Sequence, residues 1–483
     1  MYVKEKGRIT NKEHQEICST SERTATRDLS HLVSMGLFEQ VGVTGKGTEY
    51  ILRRQRRQKD ARQIIKGHQR GKKVTPMTNK SFIESDFPVK EVREESAREK
   101  NIRHGHISTL HIWWARRPLA SSRASIYAAL TPEPKDEGER LKRAQFICNL
   151  SKWENSLNTN IIERAREEIL KANGGKPPKV LDSFSGGGNI ALEALRLGCE
   201  TYASDLNPVA VLIEKATLEF PQKYGRKKVQ SDRFGEEELN PLLEDVKKWG
   251  DLFNSRQKLA LITFVEKVRE AHENMIDKGY DREYAKAVMS YLGLNVGRLA
   301  DKGATLCIWS VTDEYLAHVF GRQALSMVWD YFELNPFSQS TGDWLTALGY
   351  VEGPLTHYSQ ISLISATVSQ SSATSHPYSG NYFDAVLTDP PYYDNVPYSY
   401  LSDFFYVWLK RTIGDLYPDL FATPLTTKSE EIVAYSHGEG GKKFFEEMIA
   451  KAFREIYRIL KSDGIACIVF ALLRCSPHRP AVL

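Results

Sequence analysis

Apolar positions along the chain follow two rhythms. Short apolar runs that end in an acid or a turn residue predict buried strands, and apolar residues three and four apart predict helices between them. In "KVLDSFSGGGNIALEALRLG" the pair Val180-Leu181 is a buried strand that ends in Asp182. A glycine-rich loop through Gly188 follows, then a helix from Asn189 to Leu197 that Gly198 closes. A second strand near Tyr202-Ala203 ends in Asp205, and a third is the run Ala385-Val386-Leu387. That third run stops at "TDPPYYDN", Thr388–Asn395, because proline cannot donate to a sheet ladder and fixes its own φ. Pro118 suits the first turn of a helix with Leu119, Ile126, Tyr127 and Leu130 facing inward. The stretch of about 222–350 reads as mostly helical, through "RQKLALITFVEKVREAHENM" and "REYAKAVMSYLGLNVGRLADK". A last helix is predicted over Lys442–Leu460 and a last strand over Ile465–Ala471. Strands alternating with helices predict an α/β fold with ligands held at the carboxyl edge of the sheet.

The first 52 residues have a different pattern. "TNKE" at Thr10–Glu13 carries a helix-capping signature, and a second helix has Ala25, Leu29, Leu32 and Val33 on one face before Gly36. "LFEQVGVTGKGTEYIL" then reads as a β-hairpin. This arrangement resembles the winged-helix domains of bacterial DNA-binding regulators. It implies a recognition helix whose Arg23, Thr24, Thr26 and Arg27 meet a major groove or phosphates. Winged helices also serve as protein-interaction modules. Charge favours DNA: residues 1–76 hold 17 Lys+Arg against 8 Asp+Glu, and the remainder holds 49 against 53. The tract 53–76 includes ten Lys+Arg in the 21 residues Arg53–Lys73, and reads either as a DNA-tracking arm or as a solvated linker. Met77 begins what looks like a fresh protein start. The expected division is 1–52 winged helix, 53–76 linker, 77–221 cofactor half, 222–350 helical insertion and 351–483 catalytic half.

Composition changes this picture little. The chain has 483 residues, 41% hydrophobic and 26% charged, which is ordinary for a globular protein. It has no run of eighteen apolar residues and no signal-peptide core, so no membrane association is expected. Its six cysteines form no C-x-x-C pair, so no metal site or disulfide framework is expected, and a reducing cytoplasm is the inferred compartment.

The chemistry lies in two motifs. Asp182 and Asp205 are 23 positions apart across the glycine loop, the spacing at which a second acid meets a ribose diol. That arrangement is open to NAD, but the loop is D-x-F-x-G-x-G rather than G-x-G-x-x-G. It resembles motif I of S-adenosylmethionine-dependent methyltransferases. The resemblance implies that Asp182 faces the methionine end of the cofactor, that Phe184, Gly186 and Gly188 shape the loop, and that Asp205 takes the ribose. Asp389-Pro390-Pro391-Tyr392 resembles motif IV of amino-methyltransferases. The segment before it implies that Ser372 approaches the cofactor adenine, where many relatives have an acid. "LHIWWARRPLA" resembles motif X, although Trp113 and Trp114 read equally well as core aromatics. From Phe82 onward the chain resembles the large adenine-specific DNA methylases described as containing a zinc ribbon, without the paired cysteines of such a ribbon.

The resemblance implies a Rossmann-like sheet with a helical insertion, and methyl transfer from S-adenosylmethionine to the N6 amine of adenine in DNA. Asp389 and the Pro390 carbonyl would accept the amine hydrogens, Pro391 would stiffen the loop, and Tyr392 would stack on a flipped base. Cytosine N4 and RNA amines remain open as targets. So does an inactive methylase acting as a DNA-binding protein, because "LLRCSPHRPAVL" reads as a truncated end to the sheet. A partner protein completing the C-terminal part is a further expectation.

Overall fold

The computed structural model describes three strands within residues 8–52, and residues 80–469 apart from 86, 103–104, 226–248, 311–314, 322, 326–327, 329, 363, 393–395 and 435–440. The chain divides into two units, Met1–Thr78 and Asn79–Leu483. In the first unit β1 (Arg8–Thr10), β2 (Phe38–Val41) and β3 (Glu49–Leu52) form an antiparallel sheet in the order β1-β3-β2. The two helices expected there lie outside the described residues. So do Arg23, Thr24, Thr26 and Arg27, and the basic tract 53–76.

The second unit is a mixed α/β structure. Its strands in chain order are β4 (Lys179–Asp182), β5 (Glu200–Asp205), β6 (Trp309–Ser310), β7 (Tyr315–Leu316), β8 (Thr367–Gln370), β9 (Phe383–Thr388) and β10 (Leu460–Ile468). β6 and β7 pair with each other. The other five form one parallel sheet in the order β10-β9-β4-β5-β8. The chain builds outward from β4 through β5 to β8, then returns to the other side of β4 for β9 and β10. At such a reversal the loops leaving two neighbouring strands diverge, and a crevice opens at their carboxyl ends.

Side-chain alternation places the core on both faces of the sheet. Val180, Ala385 and Leu387 pack with residues of the helices Leu119–Leu130, Glu137–Ser151, Thr159–Ala172 and Asn189–Arg196. Leu181, Val386 and Tyr202 pack instead with Ile456 and Ile459 of the helix Lys442–Ile459, and Phe383 joins this cluster from the start of β9. Each Val, Leu, Ile or Phe among them contributes about 1.5–3 kcal/mol when fully buried. The inward residues expected on Leu119–Leu130 are buried, but so is Arg123 on the same helix. Arg123 Nε donates to Glu193 Oε2 at 2.6 Å, and Arg196 Nε donates to the same oxygen at 3.0 Å, so three charges are buried as one network. The amino end of that helix is capped from a distance. Its Leu119 and Ala120 N–H groups donate to the Glu99 carboxylate at 2.8 Å each.

Two expectations need correction. The last strand begins at Leu460 rather than Ile465, directly after its helix, and its register shifts between Leu460 and Ile465. Leu460 pairs with Phe383 of β9, and the polar residues Lys461, Ser462 and Asp463 fall in the irregularity before pairing resumes at Ile465, so apolar spacing alone starts the strand later. The middle stretch is helical at Ser255–Asp277 and Arg282–Lys302, the former opened by an Asn254–Gln257 capping box. From Gly303 to Asp343, however, the described residues form no helix. That segment includes "ELNPFSQSTGD", rich in residues whose side chains and φ limits favour turns. Among the described residues no helix is long and apolar enough to cross a membrane, and no group of three His, Cys, Asp or Glu side chains is placed to hold a metal ion.

Candidate functional site

β4 and β9 are neighbours with Leu181 opposite Val386, so the loops after Asp182 and Thr388 leave the sheet side by side. Thr388 joins them: its hydroxyl donates to Asp182 Oδ1 at 2.8 Å and accepts from the Phe184 N–H at 3.2 Å. One strand away, Asp205 ends β5. Its Oδ2 accepts from the Gly186 N–H at 2.9 Å and its Oδ1 from the Asn207 N–H at 2.8 Å. The glycine loop is thus tied down by both aspartates that flank it. Gly186 has φ +53°, and a Cβ there would lie 2.4 Å from Trp113 Nε1, so the position admits no side chain.

These loops line one open cleft. Asp182, Phe184, Gly186, Asp205 and Ser372 all reach it, and so do Asp389, Pro390, Pro391 and Tyr392. Residues from four separate stretches of sequence therefore meet at the sheet's reversal point. Gly188 is the exception. It caps the helix Asn189–Arg196 at φ +81°, and a Cβ there would face Glu214 and Leu218 behind the loop. Its left-handed backbone lets the helix start directly after the loop. Tyr393 lies outside the described residues.

The cleft also contains residues that the motifs alone do not name. Trp113 stacks on Tyr398, with ring centroids 5.6 Å apart and planes 9° from parallel, and both line the wall. Trp113 is also 7% exposed and part of the core, so it is a core aromatic that reaches the cleft wall. Arg117 brings its Nη1 to 3.8 Å from Asp389 Oδ2. Its own carbonyl is fixed by the Asn189 side-chain amide at 2.7 Å. Thr427, Glu430, Glu431 and Ile432 line the cleft as well. Glu431 accepts from the Ser399 N–H at 2.9 Å, at the start of the helix Tyr398–Ile413. The "WWARRPLA" signal was visible in sequence, but nothing in "TTKSEEIVA" marks a cleft wall.

Burial governs the electrostatics. Desolvation pushes Asp182 up to about 7 against the Thr388 and Phe184 hydrogen bonds, with the Asp389 and Asp205 carboxylates adding to the rise. Asp205 is pushed up to about 6 by burial, opposed by its backbone N–H donors. Asp389 is raised by burial, while the Tyr392 hydroxyl, donating to its Oδ1 at 2.6 Å, and the Arg117 guanidinium hold it down. Glu214, fully buried behind the glycine loop, is held well above its ordinary range by desolvation and by Asp205 and Asp182. Five acids, Asp182, Asp205, Asp389, Glu430 and Glu431, line the cleft against one cation among the described residues, Arg117.

A family described as a protein of unknown function (DUF1156) matches residues 86–166. The matched segment supplies Trp113, Ala115 and Arg117 to the cleft. No curated protein and no solved structure matches the chain.

Proposed function

We propose that this chain is an S-adenosylmethionine-dependent amino-methyltransferase whose target is the exocyclic N6 amine of adenine in DNA. One observation carries the reading. Asp182, the glycine loop, Asp205 and Ser372 surround one cleft together with Asp389-Pro390-Pro391-Tyr392, at the point where the sheet order reverses. The order β10-β9-β4-β5-β8 supports a Rossmann-like methyltransferase sheet, and the three antiparallel strands of the first unit support a winged helix in residues 1–52.

The charge of the cleft supports this cofactor over a dinucleotide. Five acids against one arginine favour a ligand that carries positive charge and disfavour a pyrophosphate. S-adenosylmethionine has a sulfonium and an ammonium. Asp182 would take the ammonium, Asp205 the ribose hydroxyls and Ser372 the adenine edge, with Phe184, Ile190 and Ile432 as apolar lining. When bound, the cofactor supplies a methyl carbon that is already electrophilic, so the protein's contribution is mainly alignment.

The chain's own groups act on the target amine. That nitrogen is a weak nucleophile while its lone pair is shared with the ring. Asp389 and the Pro390 carbonyl accept its hydrogens and favour a tetrahedral nitrogen with its lone pair aimed. Pro391 keeps the loop stiff. In this structure the Tyr392 hydroxyl holds Asp389 Oδ1, so the entering amine either shares that oxygen or uses Oδ2. The Tyr392 ring then stacks on the base.

The test is methyl transfer from labelled S-adenosylmethionine to unmethylated duplex DNA, with the nucleosides resolved and Asp389→Ala as control. The expected result is label in N6-methyladenine that the control lacks. Label in N4-methylcytosine, or only with RNA, would move the target. No label from a folded protein that binds the cofactor would reject transfer to DNA.

A further inference from the structure

Asp389 stands in a hostile place for an anion. Burial desolvates its carboxylate and disfavours the charge. Glu430 and Glu431 line the same cleft. Two groups oppose these: the Tyr392 hydroxyl, which donates to Oδ1 at 2.6 Å, and Arg117, whose Nη1 is 3.8 Å from Oδ2. The side chains of Arg117 and Asp389 are 19% and 27% exposed, so solvent screens their attraction only in part.

We infer that Arg117 is a positioning residue for the transfer: its charge keeps Asp389 a carboxylate, so that Asp389 can accept hydrogen bonds from the target amine. This deepens the amine-transfer reading and rests on it. A protonated Asp389 would present a donor where the amine hydrogens need an acceptor. At 3.8 Å the guanidinium is beyond hydrogen-bond length, so it stabilises the charge without occupying Oδ2. Its placement follows from the cofactor loop. The Arg117 carbonyl is bonded to the side chain of Asn189, the first residue after the glycines, and Pro118 restricts the backbone on its other side. The residue that sets the charge of Asp389 is therefore anchored to the cofactor-binding loop.

An adjacent arginine lowers a carboxyl by about one to three pH units. The test compares the full chain with R117Q and R117K by two readouts. The first is labelling of Asp389 by a water-soluble carbodiimide across pH, resolved peptide by peptide by mass spectrometry. Carbodiimide reacts with the protonated carboxyl, so no catalysis is needed. The second is kcat for methyl transfer across pH at saturating cofactor and DNA. In R117Q the labelling midpoint and the acid limb of kcat should both move up by about one pH unit or more. In R117K, which keeps the charge, both should stay near the wild-type values. A merely structural role would lower kcat at every pH without moving the limb. Unchanged midpoint and limb in R117Q, with transfer intact in the wild type, would overturn the inference and leave the methyltransferase reading standing. A shifted labelling midpoint in a chain that methylates nothing would uphold the effect of Arg117 on Asp389 and reject the methyltransferase reading.

Discussion

Asp182→Asn should make the protein more stable at neutral pH and, on the methyltransferase reading, weaken cofactor binding. Asp182 is 2% exposed, and burial raises its carboxyl from 3.8 to about 7. Below about pH 4 the folded and unfolded chains both carry the proton, and Asp182 has no effect on the balance. As pH rises, the unfolded chain ionises first while the folded chain keeps its proton. Folding stability then falls by about 1.4 kcal/mol per pH unit, until the folded carboxyl also ionises near pH 7. Over that window of about three units the total is about 4 kcal/mol. An asparagine does not titrate, and its carbonyl oxygen can still accept from Thr388 Oγ1 and the Phe184 N–H. The difference in stability between D182N and wild type should therefore grow with pH between 4 and 7 and then level off. Urea unfolding at pH 5, 6, 7 and 8, followed by tryptophan fluorescence, measures it. All eight tryptophans fall after residue 78, so the signal reports the second unit alone. Added S-adenosylmethionine should raise the wild-type midpoint but not that of D182N, by about 2.7 kcal/mol at one hundred times the dissociation constant. A stability difference that is flat with pH, or a wild type that gains on D182N as pH rises, would refute the account of a buried, reluctantly ionised carboxyl.

The two glycines of the loop should separate by mutation. G188A meets nothing closer than 3.7 Å and should lose only the left-handed backbone cost of about 1–2 kcal/mol, whereas G186A adds a collision with Trp113 and should lose more, together with cofactor binding; thermal unfolding and binding calorimetry decide. E193Q leaves Arg123 and Arg196 buried without a counter-charge and should cost about 3–5 kcal/mol in urea unfolding at pH 7; a cost below 1 kcal/mol would mean that the carbonyls of Leu150 and Ser156 suffice for them. Y392F keeps the ring and should retain most of the transfer rate. Y392A should lose about one to two decades in kcat/KM if base stacking is the ring's role, and equal losses in the two variants would assign the role to the hydroxyl instead.

Some of this site is legible from local sequence. Val180-Leu181 and Ala385–Leu387 are apolar runs cut off by an acid or by prolines, and β4 and β9 fall where those runs lie. The loop glycines and the acids that end β4 and β5 also belong to short stretches, so their conformations follow from φ limits and strand ends that neighbouring residues set. Other features depend on partners far away in the chain. The last strand starts at Leu460 because that residue pairs with Phe383 of β9, which apolar spacing does not record. Arg123 and Glu193 carry full charges into the core because each finds the other across two helices. Arg117 and Trp113 become cleft residues only when the strand order sets β9 beside β4 and brings Asp389 and Tyr398 to them. Glu430 and Ile432 join the cleft lining from a segment with no periodicity of its own. Sequence alone determined β4 and β9, the turns that end them and the residues of the two loops, since those depend on steric limits and polarity over a few residues. Tertiary structure decided which charges meet and how strongly burial acts on them, since attraction and desolvation depend on distances across the fold.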